Sequence, residues 1–258
     1  MLIRNYTVQS LLGKGQFGEV YIGTHVNTKE RIAIKISSEK DEWSIKNEVN
    51  CYMRLRGVQG IPKMRAFGKI HKQHYMVMDL LGASLEDLQK TKAVFSPENV
   101  CRIGTQILSC LKHIHDCGLV HRDIKPANIL FKKNVYDIYL CDFGLATSYL
   151  DSNNNHIEKQ KSAVGTQRYM SIHVHQNIFS VRRDDVESVG YILWEMLEDK
   201  LPWSNESEKD IVERKKQSFL PKHLALQLFI LHCRQLDFYQ SPNYLLLRGY
   251  LKRFILQD

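Results

Sequence analysis

The chain has 258 residues, 43% hydrophobic and 25% charged, a balance that fits a globular protein and excludes a disordered or low-complexity one. Its 36 Lys and Arg against 28 Asp and Glu give a net charge of +8; with no long block of basic residues, the excess points to phosphate or acidic peptides and not to nucleic acid. No run reaches the ~18 apolar residues of a membrane span, and the opening MLIRNYTVQS is too polar for a leader, so no membrane partner is expected. The six cysteines (51, 101, 110, 117, 141 and 233) form no Cys-x-x-Cys pair, which argues for reduced thiols in the cytoplasm or nucleus.

Residues 5–81 read mostly as strands. Alternation is clear in RIAIKIS (31–37) and HYMVMDLL (74–81), with glycine turns expected at Gly13, Gly15, Gly18 and Gly23. One helix interrupts them: in DEWSIKNEVNCYMRLR, Ile45, Val49, Tyr52 and Met53 recur at helical spacing before Gly57 and Pro62. After Gly82 the pattern turns helical. Ser96 followed by Pro97 is a helix start, and Val100, Ile103, Ile107, Leu108, Leu111 and Ile114 make one apolar face that stops at Gly118. Two short strands, ILF and IYLCD, follow the loop HRDIKPAN. The polar stretch 147–163 is expected to be a mobile loop, and beyond Asp184 helices dominate, one of them starting at Asp185. The order predicts one α+β domain over residues 1–258. A small sheet-rich lobe (1–81) precedes a larger helical lobe (82–258), with a cleft at a hinge near 79–82.

Four stretches carry chemistry. GKGQFGEV (13–20) matches G-x-G-x-x-G through Gly13, Lys14, Gly15, Gln16, Phe17 and Gly18. In a dinucleotide fold a helix follows such glycines; here a strand does. A glycine-rich strand–turn–strand can lie over phosphates, because no Cβ keeps its N–H groups from the anion; the bland alternative is an ordinary hairpin. Lys35, in the apolar strand AIK, needs an acid partner if it is buried, and Glu48 on the next helix is the expected one. In LVHRDIKPANILF (119–131) Asp123, Lys125 and Asn128 set a carboxylate, an ammonium and an amide at short spacings stiffened by Pro126. In CDFGL (141–145) Asp142 follows an apolar strand; with Asn128 it offers the hard oxygens that magnesium prefers, the bland alternative being a turn aspartate.

The order G-x-G-x-x-G, A-x-K, Glu, HRD-x-K-x-x-N, DFG resembles the eukaryotic protein kinase family over nearly the whole chain. The resemblance implies the bilobal protein kinase fold, ATP and Mg2+ as cofactors, and protein substrates. It implies that Asp123 orients the attacking hydroxyl and that Lys125 steadies the transferring phosphoryl group. Asn128 and Asp142 would hold the metal, and Lys35, aligned by Glu48, the α- and β-phosphates. Val20, Ala33 and Leu130 would enclose adenine, Leu81 would offer hinge hydrogen bonds, Met78 would gate the back of the pocket, and Asp185 would brace the catalytic loop. GTQRYMSIHVHQ (165–176) has no acid where most kinases carry Ala-Pro-Glu. With VQGIPKMRAFG, YMVMDLLGASLEDL and HCRQLDFYQSPNYLLLRGYLKRF, it resembles the casein kinase I family. That resemblance implies a serine/threonine kinase, expected to be monomeric, that needs no activating phosphate and prefers acidic or already phosphorylated substrates. Arg122, Lys161 and Arg168 stand at positions matching the family's anion pocket, while Thr147, Ser204 and Asn205 depart from it. The segment between Trp203 and His232 is shorter than usual, and no tail is expected. Three rival readings stand beside this one: a pseudokinase, which would lack one of Lys35, Asp123, Asn128 and Asp142; a small-molecule phosphotransferase, which seldom carries this peptide-groove sequence; and a nucleic-acid-binding module, which the +8 charge suggests.

Overall fold

The computed structural model describes residues 1–15, 18–38, 42–91, 95–132, 137–157, 163–217 and 220–255. Its first part is an antiparallel sheet of β1 (Leu2–Ile3), β2 (Tyr6–Gly15), β3 (Gly18–His25), β4 (Arg31–Ser37), β5 (Met64–Ile70) and β6 (Gln73–Asp79), in the order β1-β2-β3-β4-β6-β5. Helix α1 (Glu42–Arg54) enters between β4 and β5. The two-residue period of β4 sorts its side chains. Ile32, Ile34 and Ile36 join Ile3, Tyr75 and Val77 in a core on one face, each buried isoleucine contributing about 2 kcal/mol. Ala33 and Lys35 point the other way, into the cleft.

Beyond the hinge come α2 (Leu85–Lys90), α3 (Pro97–Asp116), β7 (Leu119–Val120), β8 (Ile129–Phe131), β9 (Ile138–Leu140) and β10 (Thr147–Ser148). The helices α4 (Ile172–His175), α5 (Arg182–Glu198), α6 (Glu208–Lys216), α7 (Leu224–Gln235) and α8 (Tyr244–Lys252) complete the second lobe. The start of α3 is the expected one: Ser96 Oγ accepts from Asn99 N–H, with proline at the first position. Its apolar face is buried, as are most residues of α5 on every side, which makes α5 the centre of this lobe. One core runs through both lobes, joining Ile45, Val49 and Tyr52 of α1 and Met76 of β6 to Phe143, α3 and α5. The position of α1 is thus keyed to the helical lobe. No helix among the described residues is long and apolar enough to cross a membrane.

Three expectations are corrected. Gly13 and Gly23 are not turn residues: Gly13 sits within β2, paired with Val20, and Gly23 within β3; a Cβ at Gly23 would fall 2.7 Å from Thr7 O and 2.8 Å from the Cδ1 atoms of Ile32 and Ile34, so that glycine allows close strand packing. The first part of 147–163 is ordered: β10 pairs with β7, and Leu150 bridges to His156. His156 packs edge-on against Tyr149 and Tyr239, and these apolar and aromatic anchors lie hidden in a polar-looking stretch. Residues 158–162 lie outside the described residues. The helix expected to start at Asp185 starts at Arg182, because Asp184 reaches back to accept the Val181 N–H at 2.7 Å and so acts as the third residue of the helix.

Candidate functional site

Two adjoining cavities occupy the cleft. The inner one, about 240 Å³, is lined by Leu12, Val20, Ala33, Met78, Leu81, Leu130, Tyr52 and Cys141 and ends at Lys35, Glu48, Asn128 and Asp142. The outer one, about 570 Å³, runs past Asp123, Lys125, Thr166 and Gln167 to His175, Glu208 and Val212. Both share Gly15, Ala127, Asn128 and Asp142. The apolar inner end suits a flat ring, and the polar junction a charged group passing between the cavities.

Lys35 Nζ lies 2.6 Å from Glu48 Oε2 and 2.9 Å from Asp142 Oδ1. Burial disfavours its ammonium, yet the two carboxylates outweigh burial and raise its pKa above the ordinary lysine value. Burial likewise opposes the Asp142 carboxylate, but Lys35, with His121 and Lys125 farther off, holds the Asp142 carboxyl below its usual range. Asp142 has a left-handed backbone, φ +65°. Such a conformation in a residue other than glycine costs about 1–3 kcal/mol and persists where the surroundings hold it. Phe143 is fully buried in the core, edge-on to Tyr52 at 5.1 Å.

The loop after β7 brings Asp123, Lys125 and Asn128 together. Asp123 Oδ2 lies 2.6 Å from Lys125 Nζ, and Asn128 Nδ2 donates to the Asp123 carbonyl at 2.9 Å. Asp123 Oδ1 accepts from Thr166 N–H at 2.9 Å and from Thr166 Oγ1–H at 2.7 Å. Lys125 Nζ in turn donates to Thr166 Oγ1 at 3.1 Å. Gly165, at φ +113°, allows this approach, since a Cβ would fall 2.4 Å from Arg122 O. Asp185, at the start of α5, accepts from His121 N–H and Arg122 N–H, both at 2.8 Å. His115 Nε2 is 2.9 Å from Asp185 and its Nδ1 meets Tyr244 Oη. Burial opposes the Asp185 carboxylate, but His115 and these N–H groups hold its carboxyl below the usual range.

Of the expected nucleotide residues, Gly15, Gly18, Val20, Ala33, Lys35, Glu48, Met78, Leu81 and Leu130 line the inner cavity. Gly13 and Lys14 do not; Lys14 is in solvent, paired with Glu19 at 2.9 Å. Gln16, Phe17 and Lys161 lie outside the described residues. The two remaining anion residues do not converge on one cavity. Arg168 lies 3.5 Å from Glu195 and donates to Ser204 O at 3.3 Å, so part of its charge is spent within the fold. Arg122 Nε donates to Leu145 O at 2.8 Å; burial depresses its pKa. Sequence reasoning missed Leu12 and the role of Thr166 on Asp123. The acid missing from 165–176 is replaced from α5: Glu187 accepts from Ile172 N–H at 3.2 Å and lies 3.5 Å from Arg234.

A cation on the inner wall, carboxylate and amide oxygens at the junction and a hydrogen-bonded acid beyond it suit a polyphosphate lying along the cleft with its end toward Asp123. That arrangement defines a phosphotransferase. The family model described as protein kinase domain matches residues 6–242. The chain belongs to the protein kinase family, whose members use ATP and a divalent metal to modify proteins.

Proposed function

We propose that this protein kinase is a serine/threonine kinase of the casein kinase I type, acting with ATP and Mg2+ on acidic or phosphate-primed proteins. The observation that carries the phosphotransfer part of the reading is the junction of the two cavities at Asn128 and Asp142. A nucleotide in the inner cavity would have its adenine enclosed by Val20, Ala33, Met78, Leu81 and Leu130 and its phosphates held by Lys35. The acceptor hydroxyl enters from the outer cavity beside Asp123. Its oxygen attacks the γ-phosphorus, the bond to the ADP oxygen breaks, and the hydroxyl proton passes to Asp123. Lys125 steadies the transferring group, and Thr166 fixes the Asp123 carboxylate.

The donor set at the junction fits magnesium. Asn128 spends its amide nitrogen on Asp123, which leaves its carbonyl oxygen as the ligand atom. Asp142 shares only Oδ1 with Lys35 among the contacts of the described residues. Magnesium held by these oxygens would neutralise phosphate charge. The serine/threonine and casein kinase I readings rest on the motifs, above all GTQRYMSIHVHQ in place of Ala-Pro-Glu. Glu187, which holds that segment from α5, supports them. A monomer in the cytoplasm or nucleus fits six free cysteines.

The test is transfer of labelled phosphate from ATP to casein, with and without Mg2+, followed by phosphoamino-acid analysis. Label on serine and threonine is expected, and its loss in Asp142→Asn. Label on tyrosine, or none on protein, would reject the reading.

A further inference from the structure

Asn47 precedes Glu48 on α1 and faces the turn that follows Asp142. Its Nδ2 donates to Ala146 O at 2.8 Å and lies 3.4 Å from Gly144 O and 3.5 Å from Phe143 O. Residues 143–146 form a tight turn closed by Ala146 N–H donating to Phe143 O at 3.0 Å. Three carbonyls therefore converge on one side-chain amide. Carbonyl oxygens repel one another, and those turned from solvent need a donor; Asn47 supplies it. The turn begins at Asp142, whose left-handed backbone needs holding from outside. One turn farther along α1, and again at its end, the same helix reaches the same segment. Tyr52 packs on Phe143. Arg54 donates to Ser148 Oγ and to Cys117 O, both at 2.6 Å.

We propose that Asn47 is a positioning residue that fixes the 142–146 turn to α1, so that Asp142 and Glu48 are presented to Lys35 together without a phosphate added to the chain. The proposal rests on the kinase reading above and deepens it. Lys35 alone does not produce this coupling, because an ion pair of flexible side chains tolerates displacement of the backbone behind it. Three carbonyls converging on a planar amide tolerate far less. The arrangement also predicts an unusual order of substitutions. Asn47→Ala removes the donor. Asn47→Asp keeps the shape but sets a carboxylate against three carbonyl oxygens. Were the residue only a space-filler on α1, the isosteric aspartate would be the milder change.

The experiment follows two readouts on the full chain: hydrogen–deuterium exchange in 142–148 and steady-state transfer to casein as ATP and Mg2+ are varied. Losing one good hydrogen bond of about 1 kcal/mol predicts roughly fivefold faster exchange of the turn and a similar loss in kcat/KM for ATP in Asn47→Ala. Asn47→Asp should lose about a hundredfold, with a raised Mg2+ requirement, since a half-buried carboxylate set against carbonyl oxygens costs more than an absent donor. Asn50→Asp, on the exposed face of the same helix, should change neither readout. Thermal melts establish that each variant is folded; should Asn47→Asp not fold, exchange and kinetics of Asn47→Ala still decide. Unchanged exchange at 142–148 in Asn47→Ala, or an Asn47→Asp protein more active than Asn47→Ala, would overturn the proposal. Absence of any transfer by the wild-type chain would instead reject the functional reading, while the exchange result would still judge Asn47.

Discussion

Replacing His175 with glutamine tests how the substrate side of the cleft is held. His175 lines the outer cavity, and its Nε2 lies 3.1 Å from Lys215 Nζ and 3.2 Å from Gln167 O. Lys215 is buried on α6, where it donates to Gln167 O and Met170 O at 2.7 Å and lies 4.9 Å from the Tyr191 ring and 5.1 Å from that of Trp203. Burial depresses the Lys215 pKa to about 7, so Lys215 is fully an ammonium only on the acid side of that value, where a protonated His175 would place a second cation beside it. Burial, and then the Lys215 charge, depress the His175 pKa to about 4. In the unfolded chain an ordinary histidine titrates near ~6.5. The unfolded state therefore binds the proton more tightly. The stability contributed by neutral His175 is fully present above the unfolded pKa and is lost as pH falls through the folded one. The full difference would be worth about 3 kcal/mol; exposure to cavity water discounts it to about 1 kcal/mol between about pH 7.5 and about pH 5. Urea unfolding of wild type and His175→Gln at those two pH values measures it. The other histidines are common to both proteins and cancel in the difference, and Lys215, which titrates near pH 7, is likewise present in both. Wild type should lose about 1 kcal/mol more than the variant on acidification, and its KM for peptide should rise as the 166–170 loop loosens. Equal losses in the two proteins would refute the reasoning.

Four further outcomes are expected. Asp142→Asn removes the charge that meets Lys35 and the metal, so Mg2+-dependent transfer should vanish while circular dichroism is unchanged; activity within about threefold of wild type would count against that role. Thr166→Val deletes the hydroxyl between Asp123 and Lys125, and at about 1–1.5 kcal/mol for such a hydrogen bond kcat should fall roughly tenfold, whereas Thr166→Ser should retain most of it. A phosphate three residues before the acceptor should raise kcat/KM, but modestly, since Arg168 is shared with Glu195 and Ser204 O; Arg122→Ala and Arg168→Ala should shrink the ratio, and a ratio near one in wild type would remove the anion pocket. Phosphatase treatment should leave most of the rate intact, because side chains of α1 and α5 already hold the segment after Asp142; a tenfold loss reversed by another kinase would oppose this.

What was legible in the sequence was local or strongly patterned. The start of α3 was readable because its cap, proline and apolar face lie within one stretch. Lys35 and Glu48 could be paired because a lysine in an apolar strand has few acids within reach, and only 13 residues separate the two. Thr166 could not be placed on Asp123 in this way: the two are 43 positions apart, and nothing about a threonine after a glycine announces two hydrogen bonds to a distant carboxylate. Asn47 was hidden for the same reason, its partners lying up to 99 residues away. The anion pocket was carried by matching positions, and these say nothing of Glu195, which approaches Arg168 from another helix. Gly23 was misread because a glycine that permits a turn and one that permits close packing look alike in a sequence.

The two catalytic corners share one construction. Arg122 and Asp142 both have left-handed backbones, φ +69° and +65°, and each such corner costs about 1–3 kcal/mol. Neither is held by its own sequence. The first is held by Asp185, whose carboxylate takes two successive N–H groups from the rigid centre of the helical lobe. The second is held from both lobes: by Lys35 of β4 with Glu48 and Asn47 of α1, and by Arg122 Nε donating to Leu145 O. The corners differ in what holds them. Asp185 sits in a core helix buried on all sides, so the Asp123 loop is fixed whenever the lobe is folded. The Asp142 turn depends on a helix from the other lobe, joined to it by one shared apolar core and a few polar contacts. Motion between the lobes therefore acts first on Asp142, while Asp123 and the Asn128 bonded to it stay with the helical lobe.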